Sequence, residues 1–152
     1  MLRMNKLILL IAWGITCFLF YGVAAHADEW DQSTKMTFSQ PIQIPGRTLP
    51  AGTYLFKLAN TNDRSLVEIF NADGTELYAT AMTIATERKG PADNTVVTLA
   101  QQNPGTPDAL LKWFYPGEVT GHEFVYPKQE EQQLAQERQQ TVTANAPAES
   151  GD

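Results

Sequence analysis

The chain has one cysteine, Cys17, and it sits in an apolar N-terminal stretch; beyond residue 27 there is none, and only one histidine, His122. Within one chain this excludes disulfides, thiolate zinc sites, cysteine nucleophiles and multi-histidine metal centres. Basic residues are also scarce. Arg3 and Lys6 fall in the first 27 residues, which hold no acid, so 9 basic face 17 acidic side chains in the remainder, a formal charge of −8. A nucleic-acid partner is thereby excluded, because displacing phosphate counterions needs a basic surface. No serine lies in a G-x-S-x-G context and no glycine-rich phosphate loop occurs. Internal repeats are absent too.

What the chain does have begins with a leader. Arg3 and Lys6 precede an uncharged run from Leu7 to Val23, which ends at Ala25-His26-Ala27, the small-x-small pattern read by signal peptidase. Residues 1–27 are therefore expected to be a signal peptide cleaved before Asp28. Without a twin-arginine pair, export is expected by the general secretory route to the periplasm or beyond. Cys17 lies inside the apolar run rather than at a lipoprotein box. The run is at the short end of the roughly 17 to 25 residues that span a bilayer, so no membrane span is expected after cleavage. The exported chain must draw its stability from burial alone.

The mature part carries 8 glycines and all 9 prolines, and the breaks they impose leave segments mostly too short for helices. Between breaks the apolar residues alternate. "TKMTFS" sets Met36 and Phe38 on one face, "PIQIPG" sets Ile42 and Ile44, and "TYLFKLA" sets Tyr54, Phe56 and Leu58. "LVEIFNADGTELYATAMTIA" reads as a hairpin turning on Asp73 and Gly74, which places Phe70 opposite Leu77, Ile69 opposite Tyr78 and Val67 opposite Thr80. Both faces of that hairpin hold large apolar groups, so both are expected to be covered. "NTVVTLAQ" adds a strand through Val97 and Leu99. "TPDALLKWF" is expected to form a short helical turn near 107–112, capped by Thr106 with Pro107 at its first position. "GHEFVYP" closes the domain as a strand.

The expected architecture is all-β: one domain over residues 28–128, a small sandwich or barrel of about seven short antiparallel strands. Residues 129–152 form a polar tail, helical and then disordered, with Leu134 its one large apolar residue and too little apolar surface to pack strongly.

Chemistry is densest in "WFYPGEVTGHEFVYP", residues 113–127, where aromatic rings alternate with acids. Tyr115, Glu118, His122, Glu123 and Tyr126 are the candidate ligand-binding set, since ring faces stack on sugar C–H groups while carboxylates accept hydroxyl hydrogen bonds. The competing reading puts Trp113 and Phe124 in the core with the tyrosines at its ends. A glycosidase pair of Glu118 and Glu123 would have to face across a cleft of about 5 to 9.5 Å, which two acids five residues apart around a turn do not specify. His122 beside Glu123 offers general acid–base or metal chemistry only weakly. "NADGT" lacks the spaced acids of a calcium loop. No catalytic residue, metal or cofactor is therefore expected.

Three stretches taken together, "DEWDQSTKMTFSQPIQIPGRTLPAGTYLFKL", "VEIFNADGTELYATAMTI" and "WFYPGEVTGHEFVYPK", resemble a family of short exported bacterial proteins of unassigned activity, over roughly residues 28–128. The resemblance implies export and a compact β domain, and it carries no catalytic or binding residue onto this chain. The functional expectation is a non-enzymatic envelope or secreted domain that binds a glycan or an envelope protein. The alternatives are a structural or stress-related accessory acting through its tail, and a small hydrolase using Glu118, His122 or Glu123.

Overall fold

A computed structural model describes residues 32–59, 62 and 64–144; the expected leader and residues 145–152 of the expected tail lie outside the described residues. The described chain is mostly strand. In order come β1 (Ser33–Phe38), β2 (Ile42–Ile44), β3 (Arg47–Leu49), β4 (Gly52–Leu58), β5 (Leu66–Asn71), β6 (Leu77–Glu87), β7 (Thr95–Gln101), β8 (Asp108–Phe114), β9 (Thr120–Phe124), the helix α1 (Lys128–Leu134) and β10 (Arg138–Ala144). All ten strands join one mixed sheet, in the order β1-β4-β5-β6-β9-β8-β2-β3, with β7 bonded to β8 and β10 bonded to β7.

The expected alternation is realised. Met36, Ile42, Ile44, Tyr54, Phe56 and Leu58 are all buried in one core, each on the face that its period of two assigns it. Ten strands replace the expected seven, and the pairing is not wholly antiparallel, because β2 runs parallel to β8 at Ile42↔Asp108 and Gln43↔Ala109.

Residues 107–112 are not a helical turn. From Asp108 they form β8, which pairs with β7 along one edge and shares the other between β2 at Asp108–Ala109 and β9 at Lys112–Trp113. A strand with neighbours on both edges and apolar contacts on both faces reads as a continuous apolar run, which periodicity cannot tell from a helix. Pro107 precedes the first strand residue, where no ladder N–H is needed.

The hairpin also departs from its expected register. Within this turn only Gly74 has positive φ, at +70°, and Asp73 does not, so Asp73-Gly74 is not a two-residue turn of the kind that needs positive φ at both positions. Instead Gly74 N–H donates to the Asn71 carbonyl at 2.9 Å, and the Asn71 side-chain oxygen takes the Thr75 and Glu76 amides at 2.8 and 3.1 Å. Phe70 does face Leu77, but a bulge follows, and Ile69 and Val67 pair with Ala79 and Ala81 rather than with Tyr78 and Thr80. The second face is not fully covered either: Met82 and Ile84 stand 62 % and 58 % exposed.

The tail expectation needs correction before residue 145. Helix α1 forms, but its Leu134 is 3 % exposed and belongs to the core, and Gln43 Nε2 donates to Glu130 Oε1. β10 then pairs with β7 from Arg138↔Gln101 to Ala144↔Thr95. Its β-branched Thr141, Val142 and Thr143 suit a pleated surface despite their polarity. No helix among the described residues is long and apolar enough to cross a membrane.

The sheet is tightly curled. β4 and β8 are four strand steps apart along it, about 19 Å if flat, yet the rings of Phe56 and Trp113 lie with centroids 6.1 Å apart. β1 and β7 are six steps apart, yet their Thr34 and Thr95 hydroxyls meet at 3.3 Å. β9 also lies close against the end of its neighbour β8. A Cβ placed on Gly121 would stand 2.6 Å from the Trp113 carbonyl oxygen and strike the Phe114 ring. Gly121→Ala is expected to destabilise the domain by about 1–3 kcal/mol through overpacking, a drop of several degrees in a thermal melt. An unchanged melting temperature would mean that β8 and β9 can separate without cost.

Candidate functional site

The closing segment supplies core more than surface. Trp113 is fully buried and Phe124 nearly so. Tyr126 is 4 % exposed, and its hydroxyl lies 2.8 Å from the Leu110 carbonyl of β8 and 3.1 Å from the Gln43 carbonyl of β2. Burial first, and the nearby Glu130 carboxylate second, push this phenol far above its usual range, so it remains a donor tying β8 to β2. Tyr115 is half-buried and packs against the core. Its carbonyl accepts the Glu118 N–H at 3.2 Å, closing a turn through Pro116 and Gly117, whose φ of +80° demands glycine. Glu118 itself is exposed at that turn.

Neighbouring residues of a strand point to opposite faces, and this separates His122 from Glu123. Glu123 Oε2 meets Lys112 Nζ at 3.2 Å, across a directly paired position of β8 and β9. His122 turns to the other face, its ring 5.4 Å from Trp113 at 32°. The five candidate residues therefore do not converge on one surface. No group of three or more His, Cys, Asp or Glu among the described residues is placed to hold a metal ion.

His122 has two polar partners. Its Nε2 lies 3.2 Å from Gln32 Oε1 and its Nδ1 3.4 Å from Thr83 Oγ1. The Thr83 hydroxyl donates to the Ser65 carbonyl at 3.0 Å, so both ring nitrogens face oxygens that accept. Two acceptors suit an imidazolium. Burial opposes the charge, with the Arg64 guanidinium adding to it, and together they lower the His122 pKa to about 4. At neutral pH the ring carries one proton, and the shorter contact, to Gln32, takes it. The ring thus fastens Gln32, at the head of β1, to β9, while its unprotonated Nδ1 lies against the Thr83 hydroxyl oxygen.

A concave surface lies elsewhere, where the curled sheet fails to close. β1 and β7 meet at Thr34 and Thr95, and farther along they diverge around a groove of about 480 Å³. Apolar Phe38, Ile42, Leu99 and Val142 line it together with polar Thr37, Ser39, Gln40, Thr106 and Asp108. Asp108 is the one charged residue among those lining it. Sequence reading had assigned Phe38 and Ile42 to strand faces and Asp108 to a helical turn, and no spacing rule joins residue 38 to residue 142. Only the break "SQP" after β1, where Pro41 withholds a ladder N–H, hinted that pairing stops there.

No family model matches the chain, and neither a curated protein nor a solved structure does so.

The histidine cluster sets a pH dependence. Folding lowers the His122 pKa from its ordinary 6.5 to about 4, so the unfolded chain binds the proton first. Stability is then complete above pH 6.5 and falls as pH drops towards 4, by at most about 3 kcal/mol and less as solvent screens the partly exposed ring. In urea titrations between pH 7 and 4, His122→Gln should flatten this slope relative to the unmodified protein. Equal slopes for the two would show that His122 ionises as freely folded as unfolded.

Proposed function

We propose that the chain is an exported, non-catalytic binding domain whose ligand seats in the groove between β1 and β10. The observation that carries this is the groove itself: its volume of about 480 Å³ falls within the roughly 300–1,000 Å³ of ligand sites, and in it apolar Phe38, Leu99 and Val142 stand beside polar Thr37, Gln40 and Asp108. Export rests on the leader pattern of residues 1–27. The absence of catalysis is supported by the dispersal of the titratable side chains, since Glu118 stands alone on a turn, Glu123 is paired with Lys112 and both nitrogens of His122 lie against protein oxygens. A role carried by the tail has less chain to work with, because residues 129–144 belong to the helix and sheet.

The test is a thermal-shift screen of the purified protein against soluble glycans, cell-wall fragments, peptides and lipids. A ligand at about 100 times its Kd stabilises the folded state by roughly 2.7 kcal/mol, a shift of several degrees. Thr106→Trp, on the exposed loop beside the groove, should abolish the shift, whereas Tyr115→Ala should keep it. The reverse pattern would return the site to the closing segment, and a screen without any shift would remove the binding reading.

A further inference from the structure

Each of β1 to β9 buries at least one residue, whereas none of the described side chains of β10 is buried: Arg138, Gln139, Gln140, Thr141 and Thr143 are exposed and Val142 is half-buried. What holds β10 is its ladder to β7, from Arg138↔Gln101 to Ala144↔Thr95, with a side-chain hydrogen bond from Gln101 to Gln140 at 2.6 Å. Its other edge has no strand partner among the described residues. Ladder bonds at an open edge exchange for bonds to water at small net cost, so the strand with the least burial leaves a sheet first. β7 beneath it is anchored differently. Thr95 to Thr98 and Ala100 are buried, and β8 bonds its far edge.

The chain just before β10 is fixed. Leu134 sits in the core, and Gln43 Nε2 holds Glu130 of the same helix. Between Leu134 and Arg138 run Ala135, Gln136 and Glu137, whose N–H groups donate only to the carbonyls of Glu131, Gln133 and Leu134 just behind them. A pinned residue, a short connection with local bonds and a strand without buried side chains make a hinge and a strap. Val142, the half-buried residue of β10, lines the groove beside Leu99. Resting on the reading of the groove as the binding site, we infer that β10 is a strap hinged at Ala135–Glu137, which peels from β7 as a unit and, in carrying Val142 away, opens the groove on that side. The paired state closes on an occupant and the peeled state admits it. Peeling leaves the Phe56–Trp113 contact and the β7–β8 ladder in place, so the opening is local and the domain stays folded.

The test needs no ligand. In the protein expressed from its full coding sequence, the ladder amides of β10 should exchange about tenfold or more faster than those of β5, and at a rate unchanged by urea below the unfolding transition, as a local opening requires. Exchange in β10 as slow as in β5 overturns the strap. Access to the groove is read at Leu99→Cys with a bulky maleimide, the unsubstituted protein giving the background. Labelling should be slow, and about tenfold faster once Gln140→Pro and Thr141→Pro are added. Neighbours on a strand point their N–H groups to opposite edges, so one of the two prolines removes a ladder donor whichever faces β7. The thermal midpoint should stay within about three degrees of that of Leu99→Cys alone. Equal labelling with and without the prolines overturns the gate. A large fall in the midpoint with faster exchange throughout β5 and β6 makes β10 an integral part of the fold and overturns the strap. The ligand screen decides separately whether the groove binds, so a ligand found alongside a failed strap leaves the binding reading standing.

Discussion

Because Phe56 on β4 touches Trp113 on β8 across four strand steps, the sheet cannot lie flat, and the rest of the molecule follows from how that contact is maintained. Trp113 has no exposed surface and is flanked by the Phe56 and His122 rings at 6.1 and 5.4 Å. Replacing such a side chain by alanine costs about 3–5 kcal/mol in a core, a large part of the 5–15 kcal/mol that holds a domain folded. With no cysteine beyond Cys17 to staple the domain, this aromatic joint carries a large share of the stability. The indole Nε1 has no hydrogen-bond partner, so the contact is held by packing against an unmet polar cost rather than with its help.

A sheet curled this tightly must either close or leave a seam. Closure would have needed β1 to bond β7 or β10 along its length; among the described residues no such ladder forms, and Thr34 meets Thr95 through their hydroxyls. β10 already occupies the edge of β7 that β1 would need, while "SQP" after Phe38 turns the chain away into β2. β10 gives β7 the partner that β1 would otherwise supply, and the sheet stays open rather than closing into a ring.

This also explains what could be read from the chain beforehand. Local alternation placed Met36, Phe56 and Leu58 correctly because each sits on a strand with one buried face. It failed at 107–112, where Ala109 and Leu110 are both buried on successive positions and the period of two disappears. At β10 the pattern was polar, and the strand exists only because β7 offers it a full edge. The hairpin register was right at Phe70 and Leu77, until the bulge beyond them shifted every later pair by one.

The site was less legible than the fold for a related reason. Aromatics and acids crowded into residues 113–127 invite a surface reading, yet a curled sheet of this size needs large rings to fill its interior, and Trp113, Phe124 and Tyr126 serve that need. The groove's lining instead combines Phe38, Leu99, Asp108 and Val142, none of them unusual in its own segment. A feature made by the failure of two distant strands to pair leaves no local pattern, since each strand's sequence is satisfied by the neighbour it does have.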